Sequence, residues 1–159
     1  MCRAISILKN RINQELLEEY NLQSRARRRS DAAEEEIVFD FADRQHDPQL
    51  PVIHDGRMRI YEWGNRGGGV PRLPKTGWCR RESLLAGKWR WLSPERVVIP
   101  AQYGMEKGVW FPITEGIEGV VVLDPAEVPH VYMLTQDSST YFQNMTRHDR
   151  MPVLVDQTI

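Results

Sequence analysis

Apolar residues in this chain come in short runs, broken every few residues by Gly, Pro or Asp. EIVFDFA, LPVI, RMRIYEW, RVVIPA, VWFPI, GIEGVVVL, HVYMLT and MPVLV each have the length of a strand and are rich in β-branched or aromatic residues. The opening ISIL is a further run of this kind. A helical period appears in NRINQELLEEYN, where Ile12, Leu16, Leu17 and Tyr20 fall on one face and Asn10 is placed to cap it. DPAEVPH reads as a turn, and SSTYFQNMTR as a short helix or a loop. GNRGGGVPRLPKTG is a Gly- and Pro-rich loop without the strand–GxxxxGK[ST]–helix context of a phosphate loop. QSRARRRSDAAEEE is polar, and its charge changes sign halfway, so residues 21–36 are expected to form a mobile connector. With no repeat and no domain-scale linker, the pattern predicts one α+β domain over residues 1–159. It is β-rich and mostly antiparallel, with a few flanking helices.

Composition narrows the setting. At 159 residues the chain is long enough to bury a core without staples. Two cysteines, Cys2 and Cys79, argue against a disulfide framework and fit a reducing compartment. No signal peptide or spanning run is readable, which makes a cytoplasmic protein without a membrane partner the expectation. Net charge is −1, but the 21 basic and 22 acidic residues are segregated. Residues 57–96 hold ten basic and three acidic side chains, and residues 97–159 hold three and eight. A block of that kind makes a basic face for a polyanion unless strands interleave the blocks in space. RARRR at 25–29 reads more readily as a solvated loop than as a contact surface.

Few residues are left for chemistry. His46, His54, His130 and His148 show no HExxH spacing and Cys79 has no partner cysteine nearby, so no metal or other cofactor is expected. No GxSxG elbow is present. Cys2 stands directly behind the initiator methionine. Were Met1 removed, residue 2 would carry an amine and a thiol on adjacent carbons, a pair that condenses with an aldehyde into a five-membered thiazolidine. Taken alone, Cys2 reads as a buried small residue. Glu106, in PAQYGMEKG, follows Gly104 at a place where a loop bends back, and there it would orient an ammonium or shuttle a proton. His148 precedes a run closed by Pro152, and imidazole suits general acid–base work. Arg150 more often pairs with a neighbouring acid than with a ligand.

These segments together resemble the SOS response-associated peptidase (SRAP) family. The initiator Met-Cys, the Ala101-to-Glu106 spacing behind a strand, the His148-x-Arg150-x-Pro152 run, Arg80-x-Glu82 and Pro48 with Pro51–Ile53 carry the likeness. The chain departs from the family at Arg3, where glycine is usual, at Trp78, where asparagine is usual, and at Tyr103-Gly104-Met105 before the glutamate. It also ends soon after VLV, which makes it a short, divergent member. The resemblance implies an SRAP-like fold and a DNA-damage enzyme that binds single-stranded DNA as a monomer. Cys2, freed of Met1, would form a covalent thiazolidine with the aldehyde of an abasic site. Glu106 would position the amine and His148 would act as acid and base. Arg3, Arg80 and Arg150 would contact phosphates and Trp78 would stack on a base. The family name also implies peptidase activity, placing the enzyme among hydrolases or lyases. Two alternatives remain: a catalytically inactive single-strand-binding module, and a cysteine peptidase acting on itself through Cys79 and His148.

Overall fold

A computed structural model describes residues 1–30 and 32–159. Two β-sheets form its frame. The first is wholly antiparallel and holds β1 (Ala4–Leu8), β2 (Ala26–Arg28), β3 (Glu35–Asp40), β8 (Tyr103–Glu106) and β9 (Val109–Pro112), in the order β2-β3-β1-β8-β9. The second is built on β4 (Gln49–His54), β5 (Arg57–Trp63), β7 (Glu95–Pro100), β10 (Gly116–Leu123) and β11 (Pro129–Asp137). In it β10 pairs β7, β7 pairs β4, β4 pairs β5, β5 pairs β11 and β11 returns to β10, so the sheet closes as a barrel. Beside β11 lie β12 (Arg150–Pro152), antiparallel, and β6 (Trp78–Arg80), parallel. The fold is thus β-rich α+β, and its parallel pairings are those of β11 with β5 and β6.

The unbroken apolar runs of β10 and β11 have a simple cause, because both faces of each strand are covered. Val121, Val131 and Met133 join the main core, while Val120, Val122, Tyr132 and Leu134 join a second cluster with Leu73, Cys79 and Trp89. The main core also joins the two sheets. Ile5, Ile7, Phe39 and Phe111 from the first pack with Leu50, Trp63, Ile99 and Ile117 from the second.

Helices are short. The amphipathic run becomes a 3-10 turn at Lys9–Arg11 followed by α1 (Gln14–Glu19), and the cap is Asn13 rather than Asn10. The Asn13 side chain accepts from the Leu16 N–H at 2.9 Å. α2 (Arg81–Leu85) follows β6 directly, and α3 (Thr140–Thr146), capped by Ser139, leads to the turn that bears His148. Asp31, within the stretch read as a connector, lies outside the described residues; the same stretch contains a 3-10 turn at Leu22–Arg25 and strand β2. Among the described residues no helix is long and apolar enough to cross a membrane.

Candidate functional site

Three points far apart in the sequence meet at the start of β1. The terminal amine of Met1 lies 2.6 Å from a Glu106 carboxylate oxygen and 2.9 Å from His148 Nδ1, and it donates to the Arg150 carbonyl at 3.3 Å. Backbone pairing accounts for the arrangement. β8 runs antiparallel to β1, so Ala4 faces Met105, and the Arg3 N–H reaches the Met105 carbonyl at 2.9 Å. Glu106, at the end of β8, is thereby set beside residues 1 and 2. PAQYGMEKG is therefore not a loop: Gly104 lies within a strand, and the chain reverses at Lys107 and Gly108, whose φ angles are +49° and +80°. Positive φ at both central residues matches the twist of a two-residue hairpin.

Gly104 has a packing reason as well. A Cβ there would stand 2.6 Å from the Phe111 ring and 3.0 Å from Cys2 Sγ. The missing side chain makes the space that the Cys2 thiol occupies. That thiol is fully buried and donates to the Ala4 carbonyl at 3.1 Å. Burial pushes its pKa up to about 12, so in this arrangement it stays protonated at neutral pH.

His148 is held by the first residue of the strand that follows it. The Arg150 N–H donates to Nδ1 at 3.0 Å. Nδ1 therefore faces a backbone donor and an amine together, which makes it the acceptor and leaves the ring proton on Nε2. Burial lowers the affinity of the Met1 amine for its proton below the ordinary value of 8.0, while the hydrogen bond and charge of Glu106 oppose that change. The result is an amine with a carboxylate on one side and an unprotonated imidazole nitrogen on the other.

The remaining sequence candidates take different positions. Trp78 is half-buried and donates from its indole N–H to the Cys2 carbonyl at 3.0 Å, with Phe41 and Trp63 against its ring. Arg3 is exposed and pairs with Asp40 at 3.3 Å. Arg80 is exposed at the end of β6. Arg150 is buried, and its guanidinium is engaged by Glu82 and Asp137, each at 2.8 Å, and by Thr135. It clamps β12 to α2 and β11. Cys79 lies elsewhere, in the second core cluster, with its pKa also raised to about 12 by burial. His148 Nδ1 meets Met1, Arg150 and Asp149.

Sequence reasoning missed Lys107, whose Nζ donates to the Arg147 carbonyl at 3.0 Å and ties the Glu106 turn to the residue before His148. It also missed Asp137 and the packing role of Gly104. A lone lysine or aspartate in a turn has no sequence signature, but a glycine inside an otherwise strand-like segment is a usable signal. Within the basic block at 57–96, Arg96 is paired to Glu118 at 3.0 Å, and Arg66 is turned onto the Phe41 and Asp43 backbone carbonyls. Among the described residues no group of three or more His, Cys, Asp or Glu is placed to hold a metal ion. No protein-family model matches this chain, and no curated protein does.

Proposed function

We propose that this chain is an SRAP-like protein that binds single-stranded DNA and crosslinks to abasic sites through Cys2 once Met1 is removed. The observation that carries this reading is the convergence of Glu106 and His148 on the chain's amino terminus, with the Cys2 thiol at the adjoining residue.

The chemistry follows from those groups. The neutral Cys2 amine attacks C1′ of the ring-opened deoxyribose, and the proton it sheds passes to His148 Nδ1. Return of that proton to the carbinolamine hydroxyl lets water leave, giving an imine. The thiol sulfur then bonds to the imine carbon while its proton passes to the nitrogen, closing the thiazolidine. One water is released, and no oxidant or metal is consumed. Glu106 holds the amine in line throughout, and the closing step needs the thiol proton drawn off to the nitrogen as the thiolate bonds to carbon. Residue 2 is anchored for this by Trp78 at its carbonyl and by the neighbouring Arg3–Met105 bond.

The test is incubation of the Met1-free protein with an abasic single-stranded oligonucleotide, followed by denaturing electrophoresis and intact mass. A denaturation-resistant adduct one water lighter than the sum of its parts is expected, and Cys2→Ala should abolish it. An undiminished stable adduct with Cys2→Ala would remove the thiol from the mechanism. Salt-dependent binding without any covalent product would instead favour the non-covalent single-strand module.

A further inference from the structure

The amine that Glu106 and His148 hold in this structure belongs to Met1, not Cys2. From this we infer that the chain retaining Met1 has an activity of its own: it captures an aldehyde reversibly, as an imine on the Met1 nitrogen, without ring closure. The inference rests on the abasic-site reading for its substrate, but it concerns a different nucleophile and a different product.

Geometry supplies each requirement. The Met1 nitrogen has a carboxylate at 2.6 Å to orient it and an imidazole nitrogen at 2.9 Å to receive a proton. The Met1 side chain is 43% exposed, so the terminus opens to solvent on one side while its amine faces the two catalytic groups. Condensation then proceeds as with any primary amine. The nitrogen lone pair bonds to the aldehyde carbon, one proton moves to His148 and back to the hydroxyl, and water departs to leave a C=N bond. Addition of water reverses every step and restores the free amine.

The product stops there for two reasons. Met1 offers no second nucleophile, since a thioether sulfur has no proton to give up. The Cys2 thiol would have to close an eight-membered ring containing a planar trans peptide, instead of the five-membered ring available to its own amine. Removal of Met1 is thus a switch at a single peptide bond. Before hydrolysis the site makes an open imine link, and afterwards a ring-closed, more stable one. The class of reaction that sets the switch is aminopeptidase cleavage behind methionine.

Both forms are tested side by side. Full-length chain is made by cell-free synthesis with methionine aminopeptidase inhibited, and a portion is then treated with active aminopeptidase, with intact mass confirming each form. Each is mixed with a single-stranded oligonucleotide bearing one abasic site, with and without cyanoborohydride. For the Met1-retaining form the expected result is a covalent product only with reductant, mapped by peptide sequencing to the Met1 nitrogen. Glu106→Gln should slow its formation about 100-fold. Failure to trap above the rate of Glu106→Gln overturns the inference, as does mapping of the label to Lys107 or Lys9. If the retaining form fails while the Met1-free form gives a reductant-independent adduct, the inference falls and the proposed function stands. If the retaining form traps at Met1 and the Met1-free form gives nothing stable, the inference stands and the thiazolidine reading falls.

Discussion

Trp78 separates two roles that one indole can play. Its ring packs 4.7 Å from Phe41 and 5.8 Å from Trp63, and its N–H holds the Cys2 carbonyl. Trp78→Phe keeps an aromatic face and removes the donor alone. Loss of one such bond is worth about 0.5–1.5 kcal/mol. A several-fold slower adduct formation by the Met1-free protein is therefore expected, with affinity for undamaged single strands unchanged. A base-stacking Trp78 would show the opposite pattern, a loss of affinity measurable by fluorescence anisotropy. The Met1 amine gives a second expectation at this scale. Burial lowers its pKa, so the free base persists to lower pH than for an ordinary terminus. The imine-trapping rate of the Met1-retaining form should rise with pH through a midpoint below 8.0. Because Glu106 raises that pKa, Glu106→Gln should move the midpoint further down while lowering the plateau. A midpoint above 8.0 would mean that Glu106 outweighs burial.

At the level of elements, the strands were legible wherever apolar, β-branched or aromatic residues recurred within a short run, as in RMRIYEW and HVYMLT, now β5 and β11. They were illegible where packing demanded otherwise. β8 reads Tyr-Gly-Met-Glu, a poor strand by propensity, because Gly104 must leave room for the Cys2 thiol and Glu106 must serve the amine. β2 is hidden in an arginine run because the arginines around it are held by aromatic rings and a buried carboxylate rather than by an apolar face of their own. Arg27 lies 4.4 Å over the Trp110 ring, Arg29 lies 3.9 Å over Tyr103, and both face the buried Glu36 carboxylate. The expectation that Glu106 and His148 meet the amino terminus came from spacing that resembles a known family, and both lie beside the Met1 amine. The hydrogen bond from Trp78 and the clamp on Arg150 join distant segments, and spacing carries no trace of them. The hairpin offers its own test. Gly104→Ala places a methyl 2.6 Å from the Phe111 ring, and overpacking of that kind costs about 1–3 kcal/mol. The same methyl would push on Cys2 Sγ, so urea denaturation should show the lost stability and the Met1-free variant should form its adduct more slowly.

The site and the fold share one stability at the scale of the whole molecule. Glu106 arrives on the β8–β9 hairpin and His148 on the segment behind α3, and the two are joined through the core by Phe111 and Phe142. Those rings lie 5.1 Å apart at 83°, and both are buried in the cluster that also takes in Ile5 of β1 and Ile117 and Val131 of the barrel. One apolar cluster takes in both the hairpin and the barrel, so Glu106 and His148 should not separate before the barrel unfolds. Urea unfolding followed by far-UV circular dichroism and by reactivity of the terminal amine should then give coincident transitions. Phe111→Ala removes the shared contact, and truncations of this kind cost about 3–5 kcal/mol. That is a large part of the stability of a domain this size. Both transitions should shift together to lower urea in the variant. An amine that became reactive well before the dichroism changed would show that the amino terminus and its two partners form a separately melting unit.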